Sequence, residues 1–316
     1  MAVAYASVLL GRPVKWIDGR RDNLMAATHG RGQKQFIEAS VRKDGKILGL
    51  KVKVVCDGGA YSDWAFSMPE TTIGMAPGAY DIGAYEAEAI TTFTNKPPIG
   101  AYRGAGRPEA TYLIERTVDV IARRLRLDPV KVRQRNFVSK KKFPYSSPGG
   151  HTYDSGNYRR ALEAAADLVD YEATLQEIEY RRSQGEVVGL GVASCVEVSG
   201  GGADAGAVTL HDDGTVTAVT GTSPHGQGLA TSFAQIIADE LGMAVTGIEI
   251  LHGDTAVGPR GGGTMGSRSL QLGGSALKQA AIEVRERVLA TAADLLEVAP
   301  TDLTLVDGMI RPVGAP

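Results

Sequence analysis

The residues of this sequence whose types and spacing could do chemistry lie in three glycine-rich turns. The first is Gly100-Ala-Tyr-Arg-Gly-Ala-Gly-Arg-Pro-Glu109, which follows strand-like residues ending at Asn95–Pro98 and leads into a helix near Pro108. The second, Ser223-Pro-His-Gly-Gln-Gly228, empties into an apolar helical stretch, Leu229–Leu241. The third, Gly258–Ser269, holds five glycines and precedes a long helix predicted over Leu272–Leu296. A glycine turn that opens into a helix N-terminus presents backbone N–H groups to whatever sits above it. Arg103, Gln227, Ser267, Arg268 and Ser269 lie in these turns, and guanidinium, hydroxyl and N–H donors suit a phosphate or pyrophosphate. Any single turn reads more simply as a strand-to-helix connection that needs positive φ and close packing. Three together favour an anionic ligand. None matches GxxxxGK[ST], or GxGxxG with an acidic residue about 20 positions on.

Other chemistry is sparse. His29, His151, His211 and His252 have no ligand-spaced partner and read as structural, whereas His225 sits inside a glycine turn and is a candidate pocket residue. No HExxH, GxSxG or Cys–His pairing occurs. Cys56 and Cys195 are the two cysteines, both in apolar strand-like surroundings, too few for a disulfide framework or a cysteine-held cluster. That usage fits a reducing compartment, and a cytoplasmic location is the default expectation. A net charge of −2 gives no reason to expect nucleic acid or an anionic membrane as partner. No apolar run approaches the roughly 18 residues of a bilayer span. Forty glycines in 316 residues, clustered in turns, signal tight backbone approaches.

The elements that must position these turns read as a mixture of meandering strands and helices, an α+β protein. Ala2–Leu10 reads as the last turns of a helix closed by Gly11, so further chain is expected upstream. Pro13–Ile17 reads as a short strand, Gln33–Arg42 and Ile47–Asp57 as a hairpin, and Tyr85–Thr94 as a strand. Pro108–Leu125 carries apolar residues at helical spacing, and Asp128-Pro129 reads as the N-cap and first residue of another helix. The polar stretch Lys140–Gly150 is the expected domain boundary, dividing 1–139 from 140–316. Beyond it, helices are expected near Asn157–Val169 and Glu172–Gln184, a buried strand over Val187–Val198, a hairpin of Ala207–Leu210 and Val216–Thr220, a strand Ile248–Leu251, and a last hairpin across Asp307-Gly308 without a neighbouring strand.

Gly11-Arg-Pro-Val-Lys-Trp16, Ala101-Tyr-Arg-Gly-Ala-Gly-Arg-Pro-Glu109, His225-Gly-Gln-Gly228 and Thr264-Met-Gly-Ser-Arg-Ser269 occur in this order and at familiar distances. In these motifs the chain resembles the molybdopterin-binding large subunit of the xanthine dehydrogenase, aldehyde oxidase and carbon monoxide dehydrogenase family. The resemblance implies two α+β cofactor-binding domains with the cofactor between them. It implies molybdopterin with molybdenum, in the simple or the cytosine dinucleotide form, and no side chain ligating the metal directly. Arg103 and Gly104 match the turn whose backbone approaches the apical metal ligand. Gln227 and Gly228 match the turn that hydrogen-bonds the cofactor beside the metal, and Gly266 the residue whose backbone faces an equatorial ligand. Ser267 and Ser269 match hydroxyls of the pyrophosphate region, with Arg268 between them.

Two departures shape the expected substrate pocket. Gly104 stands where carbon monoxide-oxidising members carry a copper-binding cysteine, and Ala105 stands where purine-oxidising members place a phenylalanine. The family's GGxFGxK segment belongs just before residue 1. Its catalytic glutamate, the general base of a G-x-G-E motif, belongs beyond Pro316. The expectation is therefore an internal piece of a molybdenum hydroxylase, inactive alone, that oxidises an aldehyde or aromatic heterocycle with water as oxygen source. An iron–sulfur (2Fe-2S) small subunit and an FAD medium subunit are the implied partners, in a homodimer of heterotrimers. The competing expectation is a non-catalytic module that grips a pterin or nucleotide.

Overall fold

A computed structural model describes residues 1–61, 64–254 and 256–314. The fold is α+β, in two compact units, Met1–Glu197 and Val198–Pro316.

The first unit begins with α1 (Ala2–Leu10), closed by Gly11 at φ 60°, and α2 (Arg20–Ala26). The predicted strand Pro13–Ile17 does not form: the segment is non-regular and leaves Trp16 and Ile17 exposed, with no strand beside it to bond among the described residues. β1 (Gln33–Val41) and β2 (Ile47–Asp57) make an antiparallel hairpin, α3 (Ser67–Met75) crosses over, and β3 (Ala84–Thr92) returns parallel to β2. β2 is central, and its alternation is the reason. Ile47, Leu50, Val52, Val54 and Cys56 are buried, while Lys51 and Lys53 face outward to pair with Glu86 and Glu88 of β3. α4 (Arg107–Leu125) lays Leu113, Ile114, Val118 and Ile121 on this core. α5 (Pro129–Asn136) starts as predicted, the Asp128 carboxylate accepting from the Lys131 N–H at 2.9 Å.

A small hairpin of β4 (Tyr145–Ser146) and β5 (Thr152–Tyr153) precedes α6 (Tyr158–Leu168) and α7 (Tyr171–Ser183). The strand predicted over Val187–Val198 is not one. Val192 and Val196 pack on the first core, and the Ser194 N–H donates to the Glu115 carboxylate at 2.9 Å in place of a strand neighbour. Apolar alternation here reflects packing of single side chains, not a ladder. Through Tyr158, Leu162 and Tyr171 as well, the stretch following Lys140 belongs to the first core, which is why the compact units divide at Glu197.

In the second unit β6 (Gly206–Leu210) and β7 (Val216–Thr220) pair antiparallel, and β8 (Ile248–His252) lies parallel to β7 after the crossover helix α8 (Leu229–Leu241). One π-helical turn, Ser269–Gly273, leads into α9 (Gly274–Leu296). Val216, Ala218, Phe233, Ile237, Leu277 and Ala281 form the core. β9 (Leu303–Val306) and β10 (Met309–Pro312) pair only with each other among the described residues.

Candidate functional site

Each glycine turn leaves the carboxyl end of a strand in a parallel pair, the end of an open sheet where ligands collect. The first follows β3 and runs into α4. The second follows β7 and the third follows β8, so the topology sets those two side by side.

In the first unit, Gly104, Ala105 and Gly106 all have positive φ, at 89°, 43° and 90°. The Ala105 N–H donates to the Tyr102 carbonyl at 2.7 Å, which folds the turn under exposed Arg103. Glycine is required on both flanks. A Cβ on Gly104 would meet Pro108 Cδ at 2.5 Å, and one on Gly106 would meet the Met68 carbonyl oxygen at 2.8 Å. The buried Thr72 hydroxyl donates to the Gly106 carbonyl at 3.2 Å, and Arg107 donates to the Gly104 carbonyl at 3.1 Å. From beneath, Arg31 donates to the Arg103 carbonyl and to Glu109.

In the second unit, a chain of hydroxyls ties the other two turns together. The Thr222 Oγ1 lies 2.7 Å from the Thr264 Oγ1 and 2.7 Å from the Ser269 Oγ. Thr264 also accepts from the Ser223 N–H at 2.8 Å and donates to the Ser223 carbonyl at 2.7 Å. Where the turns touch, backbone meets backbone: a Cβ on Gly221 would sit 2.3 Å from the Gly261 Cα. Gln227 folds back so that its Oε1 accepts the His225 backbone N–H, which leaves the amide nitrogen to donate outward from an exposed turn. Gly226 and Gly228 have positive φ and open space where a Cβ would point. Gly228 caps α8 without any side-chain acceptor for the helix's first N–H groups.

The third turn divides its predicted ligands. Gly266 and Ser267 are exposed at φ 60° and 57°. Ser269 is buried, its hydroxyl engaged by Thr222, so it acts through the hydroxyl chain that shapes the turn. Arg268 turns inward. Its guanidinium threads past Gly262 and Gly202, donates to the Ala203 carbonyl and stands 3.7 Å from Asp204, whose carboxylate is fully buried. The partners of Thr222, Thr264, Asp204 and Arg31 have no signal in the sequence, because each acts across 40 or more residues of chain; Thr264 alone of the four stands in a motif, which is silent on its role as a latch.

Thus Gln227, Gly228, Gly266, Ser267, Arg268 and Ser269 share one latched pair of turns, with His225 on its rim, while Arg103, Gly104 and Ala105 belong to the turn of the first unit. The donor set fits an anionic cofactor. It offers an uncapped helix N-terminus, an outward amide, an exposed serine and glycines whose open faces leave room for close approach. Among the described residues, no three His, Cys, Asp or Glu side chains gather to hold a metal ion, and no helix is long and apolar enough to cross a membrane.

An α+β chain with donor-rich glycine turns at the carboxyl ends of its parallel strands has the build of a protein that binds an anionic cofactor there. Molybdopterin cofactor-binding domains match residues 1–137 and 164–315, and the chain belongs to that molybdopterin-binding family. It is 39% identical to the carbon monoxide dehydrogenase large chain of Hydrogenophaga pseudoflava, over 94% of this chain and 40% of the relative. It is 34% identical to the nicotine 6-hydroxylase large subunit of Paenarthrobacter nicotinovorans, over 100% of this chain and 40% of the relative. Among solved structures, quinoline 2-oxidoreductase from Pseudomonas putida 86 superposes with a TM-score of 0.90 at 34% identity, over 99% of this chain and 42% of that one. The chain therefore spans about 40% of the length of these relatives.

Proposed function

We propose that this chain forms the two cofactor-binding domains, 1–139 and 140–316, of a molybdenum hydroxylase large subunit that oxidises an aldehyde or an aromatic nitrogen heterocycle with water as oxygen source. The observation that carries the proposal is the hydroxyl-latched pair of turns, Thr222–Gly228 and Thr264–Ser269, at the ends of two parallel strands. Bound molybdopterin would supply the two-electron redox centre. The chain's own part is positioning: Gln227, Gly266, Ser267 and the α8 N-terminus of the second unit would hold the cofactor through amide, backbone and hydroxyl donors, and the Arg103 turn of the first unit would offer it backbone N–H groups.

Gly104 removes the thiolate that a copper site needs, so the likeness to a carbon monoxide dehydrogenase does not carry carbon monoxide as substrate. Ala105 leaves a methyl where a purine-oxidising member has an aromatic ring, which favours a differently shaped substrate. The reading extends to the cytosine dinucleotide form of the cofactor, to 2Fe-2S and FAD subunits as electron acceptors, to a homodimer of heterotrimers, and to a cytoplasmic location. It also makes residues 1–316 inactive alone, since no general base of the G-x-G-E type stands among them.

The test is metal and pterin analysis of the complete purified protein, followed by dye reduction with an aldehyde and with quinoline. Molybdenum and pterin in equal amounts with turnover of either substrate supports the proposal. Pterin or nucleotide without molybdenum and without turnover would instead make the chain a non-catalytic binding module.

A further inference from the structure

The turn that carries Arg103 is braced from behind by one side chain. Arg31 has positive φ, 71°, a conformation costing an arginine about 1 kcal/mol and kept only where the surroundings impose it. From that position its guanidinium makes three contacts at once. Nη2 donates to the Arg103 carbonyl, Nη1 meets the Glu109 carboxylate at 3.0 Å, and the plane covers the Tyr102 ring at 5.2 Å from its centroid. Glu109 is itself fixed: its side chain is only 7% exposed, and its backbone carbonyl accepts from Gln35 at 3.1 Å. Gln35 sits on β1, and Gln33 of the same strand donates to Thr72, the hydroxyl that holds the Gly106 carbonyl. The last residue before the turn's tip, the tip and the first turn of α4 are thus joined through Arg31 to the sheet.

We propose that Arg31 is a positioning residue for the cofactor: by gripping the Arg103 carbonyl it rotates the Arg103–Gly104 peptide so that its N–H faces away from the protein, toward the ligand. Accepting on the carbonyl side fixes the opposite, donating side of a planar peptide. The inference rests on the cofactor reading above. Only a planar fork makes the three contacts; a lysine ammonium keeps the charge but cannot span carboxylate and carbonyl while lying flat on a ring.

The experiment uses the complete protein with Arg31→Lys, Glu109→Gln and, as a control about two helical turns further along α4, Arg116→Lys. Hydrogen exchange of the peptide 101–106 is followed by mass spectrometry, and pterin and molybdenum are measured per polypeptide. The expected result is several-fold faster exchange in 101–106 and about tenfold weaker cofactor retention for Arg31→Lys, a smaller change of both for Glu109→Gln, and none for Arg116→Lys, with exchange of 110–125 unaltered throughout. Unchanged exchange in 101–106, or unchanged pterin content despite faster exchange, overturns the proposal. If Arg31→Lys does not fold, Glu109→Gln carries the test with the same two readouts. A wild-type protein that lacks pterin fails the cofactor reading and not the brace, which exchange in 101–106 reads by itself.

Discussion

The hydroxyls of Thr222 and Thr264 lie 2.7 Å apart, although 42 residues separate them in sequence. Thr222 is buried and stands between Thr264 and Ser269, so one hydroxyl spans the turn after β7 and the turn after β8. A buried hydroxyl network is stable only when every member is satisfied. Thr222→Val keeps the shape and removes the central member, leaving Thr264 and Ser269 to lose a partner each. The expected cost is about 1–3 kcal/mol in urea unfolding of the complete protein, with Thr222→Ser close to wild type. Equal stability of the valine and serine variants would show that methyl packing, not the hydroxyl chain, holds the turns.

Gly262 and Arg268 make a second prediction. A Cβ on Gly262 would fall 2.2 Å from the guanidinium, so Gly262→Ala must displace Arg268 from Asp204. Asp204 then remains a buried carboxylate whose Oδ1 accepts from the Ala205 N–H and whose opposite charge has shifted. Breaking a buried pair on one side costs about 3–5 kcal/mol, the range expected for Arg268→Met; Gly262→Ala shifts the flexible end of Arg268 but keeps its charge, and is expected to cost less. Arg268→Met with Asp204→Asn should recover part of the loss. Additive losses in this double-mutant cycle would argue that the pair contributes nothing as a pair.

Much of this architecture is legible in the sequence, and what is not has a physical cause. Gly228 and Gly242 bracket Leu229–Leu241, and the helix ends at Gly242 because that glycine supplies the left-handed backbone a helix C-terminus needs. Asp128-Pro129 caps α5 for an equally local reason. The strand expected over Val187–Val198 fails because apolar alternation is the same whether the backbone bonds a neighbouring strand or, as here, the Glu115 carboxylate. Motifs place Gln227, Gly266 and Ser267 in turns with open faces, yet their spacing is silent on direction. Arg268 reads as an anion ligand and turns inward, because what draws it is a buried carboxylate 64 positions away in the chain, Asp204. Arg31, 72 residues from the carbonyl it holds, leaves no local signal at all.

The two cysteines differ in reactivity. Cys56 is buried in β2, where burial, with Asp57 and Glu109 adding negative charge, pushes its thiol up to about 11; Cys195 is exposed. At pH 8 a thiol with that value is about one part in a thousand thiolate, the reactive form. Iodoacetamide at pH 8 is therefore expected to label Cys195 in the native protein and Cys56 only after urea unfolding, as peptide mass spectrometry would read. Native labelling of Cys56 at a rate near that of Cys195 would mean that β2 opens easily.

Alkaline stability follows from two tyrosines of the first unit. Burial pushes Tyr145 and Tyr171 up to about 12, with the carboxylates of Asp81 and Asp128, each 3.4 Å from the phenol oxygen, adding to it. An unfolded tyrosine titrates near pH 10. Between pH ~10 and ~12 the unfolded chain has therefore released protons that the native chain still holds. Stability falls as pH rises through that window, and is unaffected by these groups below it. The urea midpoint of the first unit should decline steadily from pH 10 upward, and Tyr145→Phe with Tyr171→Phe should shallow the decline while leaving the pH 7 to 9 plateau nearly level with its own starting value. A double variant whose midpoint falls as steeply as wild type would assign the alkaline loss to other groups, the more deeply buried Tyr80 and Tyr85 first among them, since burial raises both further still.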